Sequence, residues 1–189
     1  MERTLVLIKP DGVYRNLIGE VIRKFEQAGL KVVALKMLKP SKDLVGKHYY
    51  EDKEWLESMG NKSIASAEKE GKKLAETPLE IGMRVRNTLI TYLAEKPVVA
   101  MIIEGNEAIF IVRKLIGSTE PRTADPGSIR GMFSSDSYQL GDLEGRSVRN
   151  IVHASGDKKD AEREIPIWFS KEEIIDYKSA EEDAMFKAV

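Results

Sequence analysis

The apolar residues of this chain fall into a few dense blocks separated by polar, glycine-containing stretches. TLVLIKPDG (residues 4–12) is an apolar run closed by a turn signal, the pattern of a strand buried on both faces, with Lys9 at its end. Ile18, Val21, Ile22 and Phe25 recur at helical spacing, and Gly29 stands where a helix C-cap belongs. KVVALKML (31–38) predicts a second strand, and Ser41 an N-cap for a helix carrying Leu44, Val45 and Tyr49 on its apolar side. Between 51 and 82 Lys, Glu, Ser and Gly predominate, which predicts an insertion of short solvated helices laid over the surface. Helical periodicity resumes through Val85, Leu89 and Leu93, and PVVAMIIEG (97–105) predicts another fully apolar strand. Asn106 is placed to cap the next helix, which turns Ala108, Ile109, Val112, Leu115 and Ile116 inward and ends at Gly117. A segment rich in Gly, Pro and Ser then runs from Ser118 to about Ser147, and loops of that length usually carry function. RNIVHASG (149–156) predicts a short strand. A helix should follow from near Asp157 and be kinked or ended by Pro166, and Ser170 with Glu173 has capping-box spacing.

The order strand, helix, strand, helical region, strand, helix, strand, helix predicts an α+β fold. Its form is a ferredoxin-like βαββαβ antiparallel sheet with helices on one face, plus the inserted helical segment. A doubly wound parallel sheet fits less well, because four strands are visible and no glycine-rich turn follows the first. With 189 residues, 42% of them hydrophobic, a single domain over 1–189 is expected, with 51–82 a surface insertion and 178–189 a C-terminal tail.

Charge and composition remove several function classes. Thirty basic against thirty-one acidic side chains give a net charge of -1, so no overall field favours nucleic acid or an anionic membrane, and anionic ligands must be bound locally. With no cysteine there is no disulfide framework, thiolate zinc site or cysteine nucleophile, in agreement with a reducing cytoplasm. Apolar runs fall far short of the roughly 20 residues of a membrane span, so neither a transmembrane helix nor a signal peptide is expected.

The familiar phosphate loops and hydrolase elbows are absent: GxxxxGK[ST], GxGxxG after a strand, GxSxG and HExxH do not occur. What remains is a set of polar residues at the ends of apolar segments. His153 lies in a short strand and is followed by the small residues Ala154, Ser155 and Gly156, which leave room for a ligand. Imidazole suits phosphate relay because one nitrogen can attack while the other donates a hydrogen bond, although a histidine packed at a strand edge is the plainer reading. Glu164 shares the inward arc of Ala161, Ile165 and Trp168, where a carboxylate needs a partner such as His153; a surface pairing with Lys or Arg is the competing reading. Lys9, Arg113, Thr119 and Arg130 form a candidate anion site, with Arg130 on a loop constrained by the preceding Pro-Gly turn. His48, beside a run of charges, reads as structural or surface, and Tyr49 as a core aromatic or as a hydroxyl within reach of a phosphate.

ERTLVLIKPDGV, the pair RKLIGSTEP and PGSIRG, and NIVHASGD occur in the order found in nucleoside diphosphate kinases, and the chain resembles that family over roughly residues 2–50 and 83–177. The resemblance implies roles position by position. His153 falls at the phosphorylated histidine, Glu164 at the acid that supports it, and Lys9 at the lysine that reaches phosphate and ribose. Asn150 falls at the sugar-binding asparagine, and Arg113, Thr119 and Arg130 at phosphate ligands. Tyr49 falls at the tyrosine near the transferred group and Ser155 at the serine beside the histidine. It further implies ping-pong transfer of the γ-phosphate from ATP or another nucleoside triphosphate to a nucleoside diphosphate, Mg2+ carried on the nucleotide, a cytoplasmic location, and a homo-hexamer or homo-tetramer. No stable nucleic-acid or membrane partner is implied.

The chain departs from the family pattern at three places. The usual base-stacking phenylalanine after KHYY is replaced by EDKEWLESMG and the 51–82 insertion, with Trp55 the nearest aromatic. The interruption at 134–147 displaces an aliphatic base contact. Gly156 stands where an aspartate is usual, which leaves open whether Asp157 takes over its support of metal-bound water. A catalytically silent nucleotide- or protein-binding module is the alternative function, against which the intact His153, Glu164 and Lys9 argue. An RNA-binding domain of the same topology fits poorly, since no aromatic pair alternates along the strands. In such a sheet the first and last strands are antiparallel neighbours, which should bring Lys9 close to Asn150–His153.

Overall fold

A computed structural model describes residues 1–69, 71 and 73–186 of the chain. In order, the elements are β1 (Glu2–Ile8), α1 (Pro10–Tyr14), α2 (Ile18–Gln27), β2 (Lys31–Leu38), α3 (Lys42–His48), α4 (Lys53–Lys69), α5 (Pro78–Glu95), β3 (Val98–Gly105) and α6 (Ala108–Ile116). They continue with α7 (Ile129–Phe133), α8 (Tyr138–Leu143), β4 (Val152–Ala154), α9 (Lys158–Trp168) and α10 (Ala180–Phe186). The strands form one antiparallel sheet in the order β2-β3-β1-β4, the expected ferredoxin-like arrangement.

Period-two alternation sorts the two central strands between two cores. Val6, Ile8, Val99, Met101 and Ile103 face Val21 and Phe25 of α2 and Ala108, Val112 and Ile116 of α6. Leu5, Leu7, Val98, Ala100 and Ile102 face Val45 of α3, Leu93 of α5 and Trp168 of α9. The two crossover helices thus share one face as expected, while the additional helices cover the other. That is why β3 is buried along its whole length and β1 from Thr4 onward. Each fully buried Leu, Ile or Val contributes roughly 1.5–3 kcal/mol.

Local signals act largely as expected. Ser41 Oγ accepts the Leu44 N–H at 3.1 Å, Gly29 follows α2 with φ 76°, and α9 begins at its cap Asp157 and stops two residues past Pro166. The cap of α6 does not come from Asn106. Glu107 takes the cap position in a left-handed conformation without a side-chain bond, and the carboxylate of Glu2, from the start of β1, accepts the Ile109 N–H at 2.8 Å. An anion at a helix N-terminus is favourable whichever part of the chain supplies it, and this one is distant in sequence.

The long segments also differ from expectation. Residues 118–147 hold a 3-10 turn at Pro121–Thr123 and the short helices α7 and α8, the helices capped by Ser128 and Ser137. In place of several short helices, 51–82 contains α4, 17 residues long, and the start of α5, which a Thr77–Glu80 capping box opens. Small residues let these two helices touch backbone to backbone. A β-carbon at Gly60 would stand 1.8 Å from the Pro78 carbonyl oxygen, and one at Gly82 2.2 Å from that of Leu56. A segment so polar carries little apolar periodicity, so glycine placement rather than an apolar stripe fixes the packing. At the C-terminal end, Lys31 binds Glu104 at 2.9 Å and Glu182 of α10 at 2.8 Å, which ties the tail to the sheet. Positions 187–189 of the expected tail, and 70 and 72 of the insertion, lie outside the described residues.

The backbone contact at Gly82 makes a direct claim about stability. Gly82→Val should force α4 from α5, cost about 1–3 kcal/mol in denaturant unfolding, and speed amide exchange across α4. An unchanged midpoint with unchanged exchange would show that the helices do not meet this closely.

Candidate active site

Strands β1 and β4 end in the same corner of the sheet. Their register pairs Leu7 with His153 and Ile8 with Val152, and Lys9, one residue beyond β1, donates its backbone N–H to the Ile151 carbonyl at 2.7 Å. The chain enters β4 through a strained turn. Ile151 is buried with φ at 69°, a left-handed conformation that costs a β-branched residue roughly 1–3 kcal/mol. The Val152 N–H closes back on the Asn150 carbonyl at 2.7 Å, the bond that defines a γ-turn. Charged groups clamp this turn. Asp11 Oδ2 accepts the Ile151 N–H at 2.9 Å, and Asp11 also receives the Tyr92 hydroxyl. Arg130 donates to the carbonyls of Asn150 at 3.2 Å, Val152 at 2.7 Å and Gly117 at 2.8 Å.

Beyond the turn, β4 alternates: Val152 and Ala154 are buried, and His153 faces the same side of the sheet as α9. Glu164 lies on the buried stripe of α9 between Ala161 and Trp168. Its Oε2 is 3.1 Å from His153 Nε2 and accepts the Ser155 hydroxyl at 2.8 Å, while Oε1 receives Arg163 at 3.1 Å. Ser155 in turn accepts the Leu5 N–H at 3.3 Å. Burial alone would raise the Glu164 carboxyl, but His153, His48 and the Ser155 hydroxyl outweigh it and hold the group at about 2. An ionised carboxylate only accepts hydrogen bonds. His153 Nε2 is therefore the protonated nitrogen, and Nδ1 keeps a free lone pair.

The residues predicted to form an anion site lie next to this histidine. The Lys9 ammonium is buried and donates to Asn150 Oδ1 at 2.8 Å; Asn150 Nδ2 donates to the Thr119 carbonyl at 2.8 Å. Burial, and then the neighbouring Arg130, lower Lys9 to about 8. Burial and Arg113 likewise lower Arg130. The Arg113 and Thr119 side chains are exposed, and Arg113 makes no hydrogen bond or ion pair among the described residues. The Tyr49 ring lies edge-on to His153 at 6.5 Å, and its hydroxyl is raised by burial and by Glu164. All nine residues singled out in the sequence thus share one corner of the fold.

Four further groups belong to the corner and were not assigned there from sequence. Asp11 stands inside KPDG, where the turn signal masked its side-chain role. Arg163, one residue before Glu164, joins α9 to α3 through the His48 carbonyl at 2.9 Å. Asp160 Oδ2 would lie 2.6 Å from a β-carbon at Gly156, so this carboxylate fills the space beside the substituted position; Asp157 is used instead as the α9 cap, accepting the Asp160 N–H at 2.8 Å. His48 is no surface residue: it is 1% exposed, and its ring packs edge-to-face on His153 at 4.6 Å. Its Nδ1 accepts the Trp168 indole N–H at 3.3 Å, so Nε2 carries the proton. His48 Nε2 is the only buried side-chain nitrogen or oxygen without a hydrogen-bond partner among the described residues, at a cost of about 1–3 kcal/mol. Trp55 is taken up by Tyr49 and Tyr50, each stacked on it at 6.3 Å.

His48, His153 and Glu164 bring three potential metal-ligand atoms within 4.8 Å of one another. Trp168 already occupies His48 Nδ1, Arg163 occupies Glu164 Oε1, and His153 and Ser155 share Oε2, while Lys9 and Arg163 add positive charge, so the cluster is poorly suited to hold a cation.

Comparison with known proteins gives a consistent picture. The sequence model of the family described as nucleoside diphosphate kinase matches residues 2–66 and 80–174, so the break in the match spans 67–79, the end of α4 and the connection to α5. The nucleoside diphosphate kinase of Pyrobaculum aerophilum is 45% identical over 181 residues, covering 93% of this chain and 99% of that protein; that of Borreliella burgdorferi is 42% identical, covering 96% and 95%. The crystal structure of an NDP kinase from Pyrobaculum aerophilum superposes with a TM-score of 0.90 at 43% identity, over 93% of this chain and 99% of that one. A Borrelia burgdorferi nucleoside-diphosphate kinase, described as a transition-state mimic with bound vanadate and ADP, superposes at 0.79 with 40% identity, over 97% and 95%.

The Glu164 carboxyl has an acid signature. Its folded value of about 2 lies below the ordinary 4.5, so its stabilisation is complete above pH 4.5 and is lost as pH falls through 2. The gap corresponds to roughly 3 kcal/mol. Glu164→Gln should lose stability of that order at pH 7 and flatten the decline between pH 4.5 and 2 in denaturant unfolding; parallel curves for the two proteins would contradict the assignment.

Proposed function

The chain belongs to the nucleoside diphosphate kinase family and is a nucleotide phosphotransferase, and from that premise we propose that His153 carries the phosphoryl group between its two half-reactions. One observation supports this above the others: Glu164 accepts the hydrogen bond of Nε2–H, which keeps the proton there and leaves the Nδ1 lone pair beside a cluster of cations. In the first half-reaction the Nδ1 lone pair attacks the γ-phosphorus of ATP or another nucleoside triphosphate. The bond to the β–γ bridging oxygen breaks, and the diphosphate leaves with the electron pair. A terminal oxygen of a second nucleoside diphosphate then attacks the phosphohistidine, and Nδ1 recovers its lone pair. Glu164, itself oriented by Ser155 and Arg163, stabilises the positive charge that develops on the ring.

Lys9, Arg113 and Arg130 would balance charge on the transferred oxygens, the principal service a protein renders in phosphoryl transfer. Arg130 spends three N–H groups on backbone carbonyls and retains two of its five donors for phosphate. Thr119 and the Tyr49 hydroxyl would add neutral contacts, and Asn150, already bonded to Lys9, would contact the ribose. Beside Tyr92 and Arg149 a groove of about 610 Å³ opens between α5 and the segment after α8, lined by Arg84, Asn87, Thr88 and Ser147 among others. Its size suits a nucleoside, and Arg149 joins it directly to Asn150.

The donor set also bears on the cation. Asp11 is bonded to Tyr92 and Ile151, Glu164 to His153, Ser155 and Arg163, and Asp157 to its own helix. A hard divalent ion therefore meets no free carboxylate cage at the turn, which fits Mg2+ held chiefly by phosphate oxygens of the nucleotide. Mg2+ would supply further neutralisation of phosphate charge there. A cytoplasmic location goes with this nucleotide chemistry, and no helix among the described residues is long and apolar enough to cross a membrane. Assembly into hexamers or tetramers is part of the same proposal, supported by Leu35 and Met37, which stay exposed on the edge strand β2.

Intact-mass spectrometry after incubation with ATP and an alkaline quench should show one added PO3 group on the wild type and none on His153→Ala. The variant's ATP-to-GDP transfer should fall by roughly four orders of magnitude or more; equal GTP formation by both proteins would defeat the mechanism. Lys9 adds a pH test. Its ammonium is lost above about 8 in the free enzyme, and a bound phosphate restores it, so kcat/KM should decline above pH 8 while kcat stays level. A decline in kcat alone would remove Lys9 from this role.

A further inference from the structure

We infer that His48 is a positioning residue for His153: a second imidazole, held in one tautomer by Trp168, that keeps the reacting ring turned so that Nε2 meets Glu164 while Nδ1 faces the incoming phosphate. The inference rests on the phosphohistidine reading above and extends it to a residue that touches neither nucleotide nor phosphate.

The geometry supplies the reason such a residue is needed. The Cβ–Cγ bond and the hydrogen bond from His153 Nε2 to Glu164 hold the ring at two points and leave it free to rotate about the line between them. The His48 ring closes this freedom, standing at 85° to His153 with centroids 4.6 Å apart. His48 is itself immobilised from several elements. Trp168 of α9 donates to its Nδ1, Tyr49 packs edge-on at 4.7 Å, and Arg163 holds its backbone carbonyl. The lone N–H at Nε2 is a cost with no structural return at this position. A phenylalanine would give the wall without the buried orphan but would leave the Trp168 indole without its acceptor. Histidine supplies wall and acceptor together, and breaches of local economy of this kind concentrate at functional sites.

Neutrality is the other half of the design. Burial, and then His153, push His48 well below the ordinary imidazole value of 6.5. The groups facing it are His153 from β4, Glu164 and Arg163 from α9, Lys9 from the end of β1, and its neighbour Tyr49. Glu164 Oε1, the one group that would favour protonation, lies 3.9 Å away and is already paired with Arg163. The ring that supports His153 thus adds no positive charge beside an imidazole that must itself become positive during attack.

The chain has two histidines, so nitrogen-15 spectra of the wild type contain only their two sets of ring signals. The inference expects His48 as the Nε2–H tautomer, neutral as pH falls through 6.5, and His153 with its proton on Nε2. His48→Asn, which keeps an acceptor for Trp168 but removes the wall, should shift the His153 signals to a tautomer mixture. It should also slow single-turnover phosphorylation by ATP roughly 10- to 100-fold at unchanged ATP KM, the scale of a misplaced reacting group. His48→Phe, which keeps the wall, should stay within about threefold of wild type. An Asn variant that is phosphorylated at the wild-type rate, a loss that appears in KM, or a Phe variant as slow as Asn would each overturn the inference. So would a His153 tautomer indifferent to His48, a measurement that needs no turnover. A wild type that takes no phosphate at all would instead sink the parent reading.

Discussion

The left-handed turn at Ile151 is the constraint around which the active corner is organised. A β-branched residue does not hold φ at 69° unaided, and here one carboxylate, one guanidinium and two backbone N–H groups fix the three residues 150–152. The turn lets a buried strand begin abruptly, with Asn150 on one side of the kink and His153 two residues beyond it. Strain and placement are inseparable in this arrangement. Asp11 and Arg130 hold the backbone first, and the charge they present follows from where that work puts them.

This double use of charged groups explains why preorganisation and electrostatics coincide. The guanidinium that stitches β4 to Gly117 is buried near Lys9, and Glu164, which orients the histidine, is oriented by Ser155 and Arg163. No member of the set is free to relax without disturbing another. In a low-dielectric corner such fixed dipoles and charges act without reorganising when the reaction occurs. The sheet supplies the rigidity behind them, since both of its faces are packed and β1 and β4 reach the site from the middle of that packing.

Much of this was legible in the chain itself, for identifiable reasons. Buried strands without alternation announce themselves, as TLVLI and VVAMII do, and their antiparallel order follows from the helices between them. Lys9 and His153 sit at strand ends, where polar residues are conspicuous, and Glu164 breaks an otherwise apolar stripe. Other features left weaker traces. The length of α4 rests on Gly60 and Gly82 meeting a partner backbone, which no apolar pattern encodes. His48 sits among charged neighbours whose exposure says nothing of its own burial. The α6 N-terminus is met by Glu2, more than a hundred positions away, and a local capping rule cannot see such a partner. Asp160 occupies the space beside Gly156 only because α9 folds back over it.

The burial of Lys9 beside Arg130 has a consequence for the protein as a whole. The two cations repel one another in poor contact with water, and under the proposed function a polyanion bound beside them would relieve that repulsion. Heat tolerance would then be coupled to metabolite supply: at free nucleotide well above the dissociation constant, every tenfold rise adds about 1.4 kcal/mol to the folded state. A cell depleted of its phosphate donors would hold this protein in its most fragile form.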